Sequence, residues 1–361
     1  MAYKKRTKKH LIKKRVAIVI FIAGLFVFLG VNFPFSGIIF EYLANSDEAP
    51  EKDIVHHIKT PDEVRGIYMT SWVASVKDMR DKLIKLVEDT ELNSMVIDIK
   101  DYTGKIAFLM KDPQIQEIGS SEDRVKNIKN FIEELHNKNI YIIGRIAVFQ
   151  DPHLSLKRPD LAVKKGDGIT NWKDYKGAAW LDMCSKEVWE YIIAIAREAE
   201  SVGFDELNFD YIRFPSDGNM NDIKYPHCDN TLTKPDLLEI FFYNLKKELS
   251  GLRVPISADL FGMVTTNTND LNIGQVLERA EPYFDYISPM VYPSHYFDNY
   301  NGFANPAAKP YEVVKISMDS AVARLLAASS SPLKLRPWLQ DFDLGANYDA
   351  AMIRKEKQAV Y

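Results

Sequence analysis

The chain has 361 residues, 46% hydrophobic and 27% charged, a composition ordinary for a folded globular protein. Its formal net charge of −4 is unevenly divided: residues 1–40 hold eight Lys/Arg and no acid, leaving 38 basic against 50 acidic residues beyond them, a net of −12. A body that acidic argues against nucleic acid as a partner, because phosphate backbones need a basic face.

The first element is a basic tail, residues 1–15. An apolar segment follows over 16–40, and its charge-free stretch from Val16 runs past Val31 to Pro34. That is long enough to span a bilayer, which takes roughly 17–25 residues. Basic residues ahead of it place the N-terminus in the cytoplasm and the body outside. We expect an uncleaved, single-pass signal-anchor; the alternative is secretion after signal cleavage, against which no small-x-small site is found, since Tyr42 lies two before Ala44. Residues 41–63 read as a linker, a charged stalk in which His56 and His57 are expected to be solvated. Only two cysteines occur, Cys184 and Cys228. A disulfide between them and two unpaired thiols both stay open.

From residue 64 to 361, short apolar runs alternate with amphipathic ones. The predicted strands are VRGIYMTSW (64–72), SMVIDIK (94–100), IYIIGRIAVF (140–149), ELNFDYIRF (206–214), VPISADLF (254–261), FDYISPMVY (284–292) and KLRPWLQ (334–340). Their near-continuous apolar character fits strands covered on both faces. Helical patterns lie between them over residues 76–90, 120–138, 186–203, 234–251, 273–283 and 311–329, with another after the last strand at 348–361. Seven strand–helix alternations point to a parallel sheet, and no G-x-G-x-x-G follows any strand. The expected fold is an α/β (β/α)8 TIM barrel that lacks its eighth strand, as if the chain were cut short at its C-terminus.

In such barrels the active site lies at the C-terminal strand ends. Side chains alternate along a strand, so Asn208 and Asp210 share a face, with Leu207, Phe209 and Tyr211 toward the helices. Ser257 and Asp259 share a face of the fifth strand. Asp98 and Lys100 fall together on the second and are expected to pair. Arg145 comes from the third strand, Tyr292 from the sixth, Trp338 and Gln340 from the seventh. Two carboxyls at a barrel mouth suit glycosidic bond cleavage, which needs one as acid and one as nucleophile or base. For Asp210 the structural alternative is a buried ion pair with Arg145 or Arg213. The loops after the third and sixth strands carry Trp172, Tyr175, Trp180, His295, Tyr296, Phe297, Tyr300 and Phe303, aromatic faces on which sugar rings can stack.

The pieces VRGIYMTSW, SMVIDIKDYTG, FDYIRFPSDG, SADLFG, ISPMVYPSHY and RPWLQDF, in this order, resemble a family of bacterial glycoside-hydrolase-like proteins with a barrel related to the alpha-amylase type. The resemblance runs from about Val64 to the C-terminus and implies a barrel acting on a polysaccharide. In alpha-amylase-type barrels a strand-four Asp is the nucleophile and a strand-five Glu the acid. Asp210 fits the first place; Asp259 stands where the Glu would be, and Asn208 where those barrels carry an Arg.

The expectation is therefore a monomeric, membrane-anchored glycoside hydrolase acting on an envelope or extracellular polysaccharide, with no metal and no cofactor. Asp210 and Asp259 are the expected catalytic pair; Asp98, Arg145, Asn208, Arg213, Tyr292, His295, Trp338 and Gln340 are the expected substrate-binding residues. The rival expectation is a non-catalytic glycan-binding barrel. A metal-dependent hydrolase finds no support, because His153, His227 and His295 are scattered.

Overall fold

The computed structural model describes residues 55–361. The expected tail, the membrane anchor and most of the linker therefore lie outside the described residues, among which no helix is long and apolar enough to cross a membrane.

Six strands, β1 (Gly66–Met69), β2 (Ser94–Lys100), β3 (Tyr141–Ala147), β4 (Glu206–Asp210), β5 (Ile256–Phe261) and β6 (Tyr286–Met290), form one sheet in chain order. Every neighbouring pair is parallel. The helices that return the chain are Lys77–Asp89, Ile128–His136, Lys186–Val202, Lys234–Glu248 and Leu277–Ala280, and Pro310–Ala327 follows β6. The result is an α/β fold whose six parallel strands curl into a TIM-barrel-like half-barrel.

Alternation decides which side chains meet the helices. Met95, Ile97, Ile99, Ile142, Ile146, Leu207, Phe209, Ala258 and Leu260 point outward and are fully buried in the main core. Where β2 and Phe204 crowd against β3, that strand has no side chain to offer: a Cβ on Gly144 would sit 2.2 Å from Ile99 Cδ1 and 2.7 Å from Phe204 Cδ1. The inward face starts with a smaller apolar cluster, Val96, Tyr141 and Ile143, joined by Ile58, Val64 and Trp338. Over the same floor, Glu206 accepts from Arg336 Nη1 at 2.7 Å and from the Tyr141 hydroxyl at 2.9 Å.

Four expectations need correction. The seventh strand is reduced to two isolated parallel bridges, Ile287 to Leu335 and Met290 to Trp338. Arg336 and Trp338 donate to the carbonyls of Ile287 and Pro289, but the return bond between them would need an N–H at Pro289, which proline lacks. The fourth strand stops at Asp210 instead of Phe214, because Tyr211 takes a left-handed backbone, φ 53°. The helix expected over 120–138 begins only at Ile128, since its first residues are drawn into backbone pairing: Ile106 bonds to Ser120, and Val125 to Ala107. The end of the linker is not a free stalk. The Ile58 N–H donates to Asp205 at 2.7 Å, and His57, its side chain 12% exposed, lies between Asp205 and Glu200. Cys184 and Cys228 are joined in a disulfide.

Candidate active site

Parallel register sets the stage: Arg145 stands beside Asp98 on one side and Asn208 on the other, with Asn208 beside Ser257. Near the C-terminal ends of β2 to β5 three carboxyls converge on one guanidinium. Arg145 Nη1 donates to Asp98 Oδ1 at 2.9 Å, Nε donates to Asp210 Oδ2 at 3.1 Å, and Nη2 reaches the same Asp210 oxygen. Nε also lies 3.9 Å from Asp259 Oδ2. Since one nitrogen touches both, Asp210 and Asp259 face the same interior, and their Oδ2 atoms cannot be farther apart than those two reaches laid end to end.

The three acids are held differently. Asp98, 3% exposed, accepts the Tyr68 hydroxyl on both oxygens at 2.9 and 2.8 Å and the Ser71 N–H at 3.3 Å. Burial raises its pKa against the lowering pull of Arg145. Asp210, 5% exposed, accepts the N–H of Tyr211 on Oδ1 at 2.5 Å, so the left-handed turn that ends β4 also supplies its acid with a donor. Asp259, 1% exposed, accepts on Oδ1 from Asn208 Nδ2 at 2.9 Å and from Trp338 Nε1 at 2.7 Å. Burial, then the neighbouring Asp210 charge, pushes Asp259 up to about 8. With Oδ1 already accepting two donors, a proton on Asp259 belongs on Oδ2, toward Arg145 and Asp210. Asn208 Oδ1 is buried and has no partner among the described residues, leaving an acceptor for a hydroxyl.

Not every expected binding residue reaches this cluster. Tyr292 does: burial and the charges of Asp259 and Asp210 push its phenol up, and its ring packs on His295 and Phe342 at 5.3 and 5.4 Å. Burial lowers the His295 pKa, as does Lys176. Arg213 lies 5.0 Å from the Trp180 ring and 5.6 Å from the Tyr211 ring, donates to the Phe214 carbonyl, and makes no ion pair among the described residues. The ion-pair partner of Asp210 is thus Arg145. Lys100 does not pair with Asp98; a register shift ends the alternation there, and its ammonium turns to Asp151 at 2.9 Å, both side chains fully buried. Gln340 is fully buried too. It pins the loops, accepting from Ser294 N and donating to the Phe342 carbonyl. Of the loop aromatics, Trp172, Trp180, Tyr296 and Tyr300 are buried, whereas Tyr175 and Phe297 are exposed.

The expected site residues omitted Tyr68 and Ser71, both of which touch Asp98. Tyr68 was legible as an inward residue of the first strand; the Ser71 N–H carries no sequence signal. For metals, Asp182, Cys184 and Cys228 form one ligand-type group among the described residues, but the disulfide consumes the thiolates that would bind an ion.

A family model described as "Putative glycosyl hydrolase domain" matches residues 66–361. No curated protein matches the chain. Among solved structures, a hypothetical protein from Ruminiclostridium thermocellum ATCC 27405 is 35% identical over 54% of this chain and 96% of its own, with a TM-score of 0.49. The PgaB (BpsB) glycoside hydrolase domain from Bordetella bronchiseptica is 13% identical over 82% of this chain and 90% of its own, with a TM-score of 0.54, a likeness of fold. The alpha-galactosidase TtGalA from Thermus thermophilus is 12% identical over 83% and 60% of the two chains, with a TM-score of 0.49.

Proposed function

Because the chain belongs to the "Putative glycosyl hydrolase domain" family, we propose that it hydrolyses glycosidic bonds of an envelope or extracellular polysaccharide, with Asp259 as acid/base and Asp210 as nucleophile. The observation that carries this reading is the convergence of two carboxyls on Arg145 Nε, which donates to Asp210 at 3.1 Å and lies 3.9 Å from Asp259, with Asp259 raised to about 8 by burial and by the Asp210 charge. A carboxyl raised by burial, beside a second one that accepts from a fixed cation, is an arrangement that acid and nucleophile roles can use.

Asp259 Oδ2 gives its proton to the glycosidic oxygen as the bond to the anomeric carbon breaks, and Asp210 bonds to that carbon. Water then attacks the glycosyl–enzyme ester, giving its proton back to Asp259 and freeing Asp210. The shared contact with Arg145 Nε is compatible with the retaining separation of about 5–5.5 Å and reaches only the short end of the inverting range of about 6.5–9.5 Å. Asn208, bonded to Asp259, and Tyr292, which feels the charges of both acids, adjoin the pair as hydroxyl-binding groups, with Arg213 and His295 farther along the same mouth. The basic tail and apolar segment of residues 1–40, together with the Cys184–Cys228 disulfide, support an anchored, outward-facing protein in an oxidising compartment.

The second reading, a non-catalytic glycan-binding barrel, is favoured by the depth of Asp259, 1% exposed, and by the way Arg145 ties the three acids together. Reducing-end release from cell-wall glycans separates the two. Loss of at least a thousandfold in Asp210→Asn is expected; wild-type activity in that variant, or retention of glycan without cleavage by the wild type, rules out the catalytic reading.

A further inference from the structure

Trp72, in the short helix Ser71–Ser75 just past β1, is 54% exposed although its ring is rigidly backed. The Arg124 guanidinium carbon lies 3.9 Å from the ring centroid. Arg124 is itself fixed: Nη1 donates to Asp101 at 2.5 Å and to Ser71 Oγ at 2.7 Å, Nη2 donates to Glu122 at 2.7 Å, and the side chain is 5% exposed. One indole face therefore rests on a clamped cation while the other meets water. A cation–π contact explains the covered face. It does not explain why a large flat surface is left open beside the acid cluster.

The location supplies the reason. Ser71, the preceding residue, gives its N–H to Asp98 at 3.3 Å, and Tyr68, 41% exposed, gives Asp98 its hydroxyl. β1 is an edge strand, so this rim continues outward from the three carboxyls. The apolar face of a pyranose ring matches an indole face in size, and an indole already held from behind loses little freedom when a sugar stacks on it.

We infer that the open face of Trp72 is a stacking subsite for a pyranose of the bound polysaccharide, one or more sugar units away from the Asp210–Asp259 pair. The inference rests on the glycosidase reading and adds to it that the substrate is an extended chain crossing the β1 rim.

The test is affinity electrophoresis of the full chain, wild type and Asp210→Asn, in gels containing soluble starch, glycol chitin, xylan or carboxymethyl cellulose. At least one gel should retard both proteins. Adding Trp72→Ala should weaken that retention roughly 3- to 10-fold, while Trp72→Tyr, which keeps a stacking face, should recover most of it. Equal retention of Trp72→Ala, or no retardation of the parent proteins in any gel, overturns the inference. If retention depends on Trp72 but the wild type releases no reducing ends, hydrolysis fails and the subsite stands. If reducing ends appear but retention ignores Trp72, the subsite fails and hydrolysis stands.

Discussion

Asp259 Oδ1 accepts two donors, from Asn208 and Trp338, that favour its charged form, yet burial and the Asp210 charge outweigh them and leave the group up near 8. A general acid must be protonated to work, so reducing-end release should fall as pH rises through about 8. Trp338→Phe removes one donor to the carboxylate and should move that falling limb to higher pH. A pH–rate profile of the two proteins checks both statements, and an unmoved limb separates Trp338 from the titration. The inward placement of Asp98, Asn208, Asp210 and Asp259 was legible, because period-two alternation needs no tertiary information. The partner of Lys100 was not: a register shift after Asp98 turns its side chain toward Asp151, and shifts of that kind leave no mark on apolar pattern. Gln340 shows the same limit. Alternation along a seventh strand made it a binding residue, but position 340 lies outside any strand, and the Ser294 N–H commits its amide.

Among elements, the helices with a strong apolar stripe appeared nearly where expected. Lys186–Val202 ends at Gly203, whose left-handed φ of 119° closes the helix as a C-cap glycine should. The misread elements were those whose backbone is claimed by something distant, as in the stretch before Ile128. The last helix, Ala350–Val360, carries a further anomaly: Glu356 is fully buried, and burial, aided by the Asp341 charge, raises its carboxyl from 4.5 to about 8. A raised acid favours the folded state fully below its unfolded value near 4.5, and that contribution is lost progressively as pH climbs to 8. The loss is on the order of a few kcal/mol at ~1.4 kcal/mol per unit. Urea unfolding should therefore find Glu356→Gln close to the parent at pH 4.5 and clearly more stable above pH 8. A parent as stable as the variant at pH 8.5 would contradict the assignment.

At the scale of the molecule, the Cys184–Cys228 bridge spans a sequence separation of 44 residues. The loop it closes contains the Lys186–Val202 helix, β4 and Arg213. In the chain-entropy account, closing a loop of that size is worth about 4 kcal/mol. Guanidinium unfolding of the Cys184→Ser/Cys228→Ser variant should show a loss approaching that value, and an unchanged midpoint would mean the bridge contributes nothing. The parallel architecture itself was legible from the repeated strand–helix order. The number of strands was not, because Pro289 denies the seventh position a hydrogen bond that composition alone suggested it would have. That missing bond reaches the chemistry. Trp338, whose indole helps set the proton affinity of Asp259, is joined to the sheet by its N–H to Pro289 and a single isolated bridge to Met290. Transient fraying at this seam would withdraw the indole and admit solvent together, letting the buried acid relax to an ordinary carboxylate. Under the proposed reaction, the Asp259 proton would be available only while this isolated bridge stays closed.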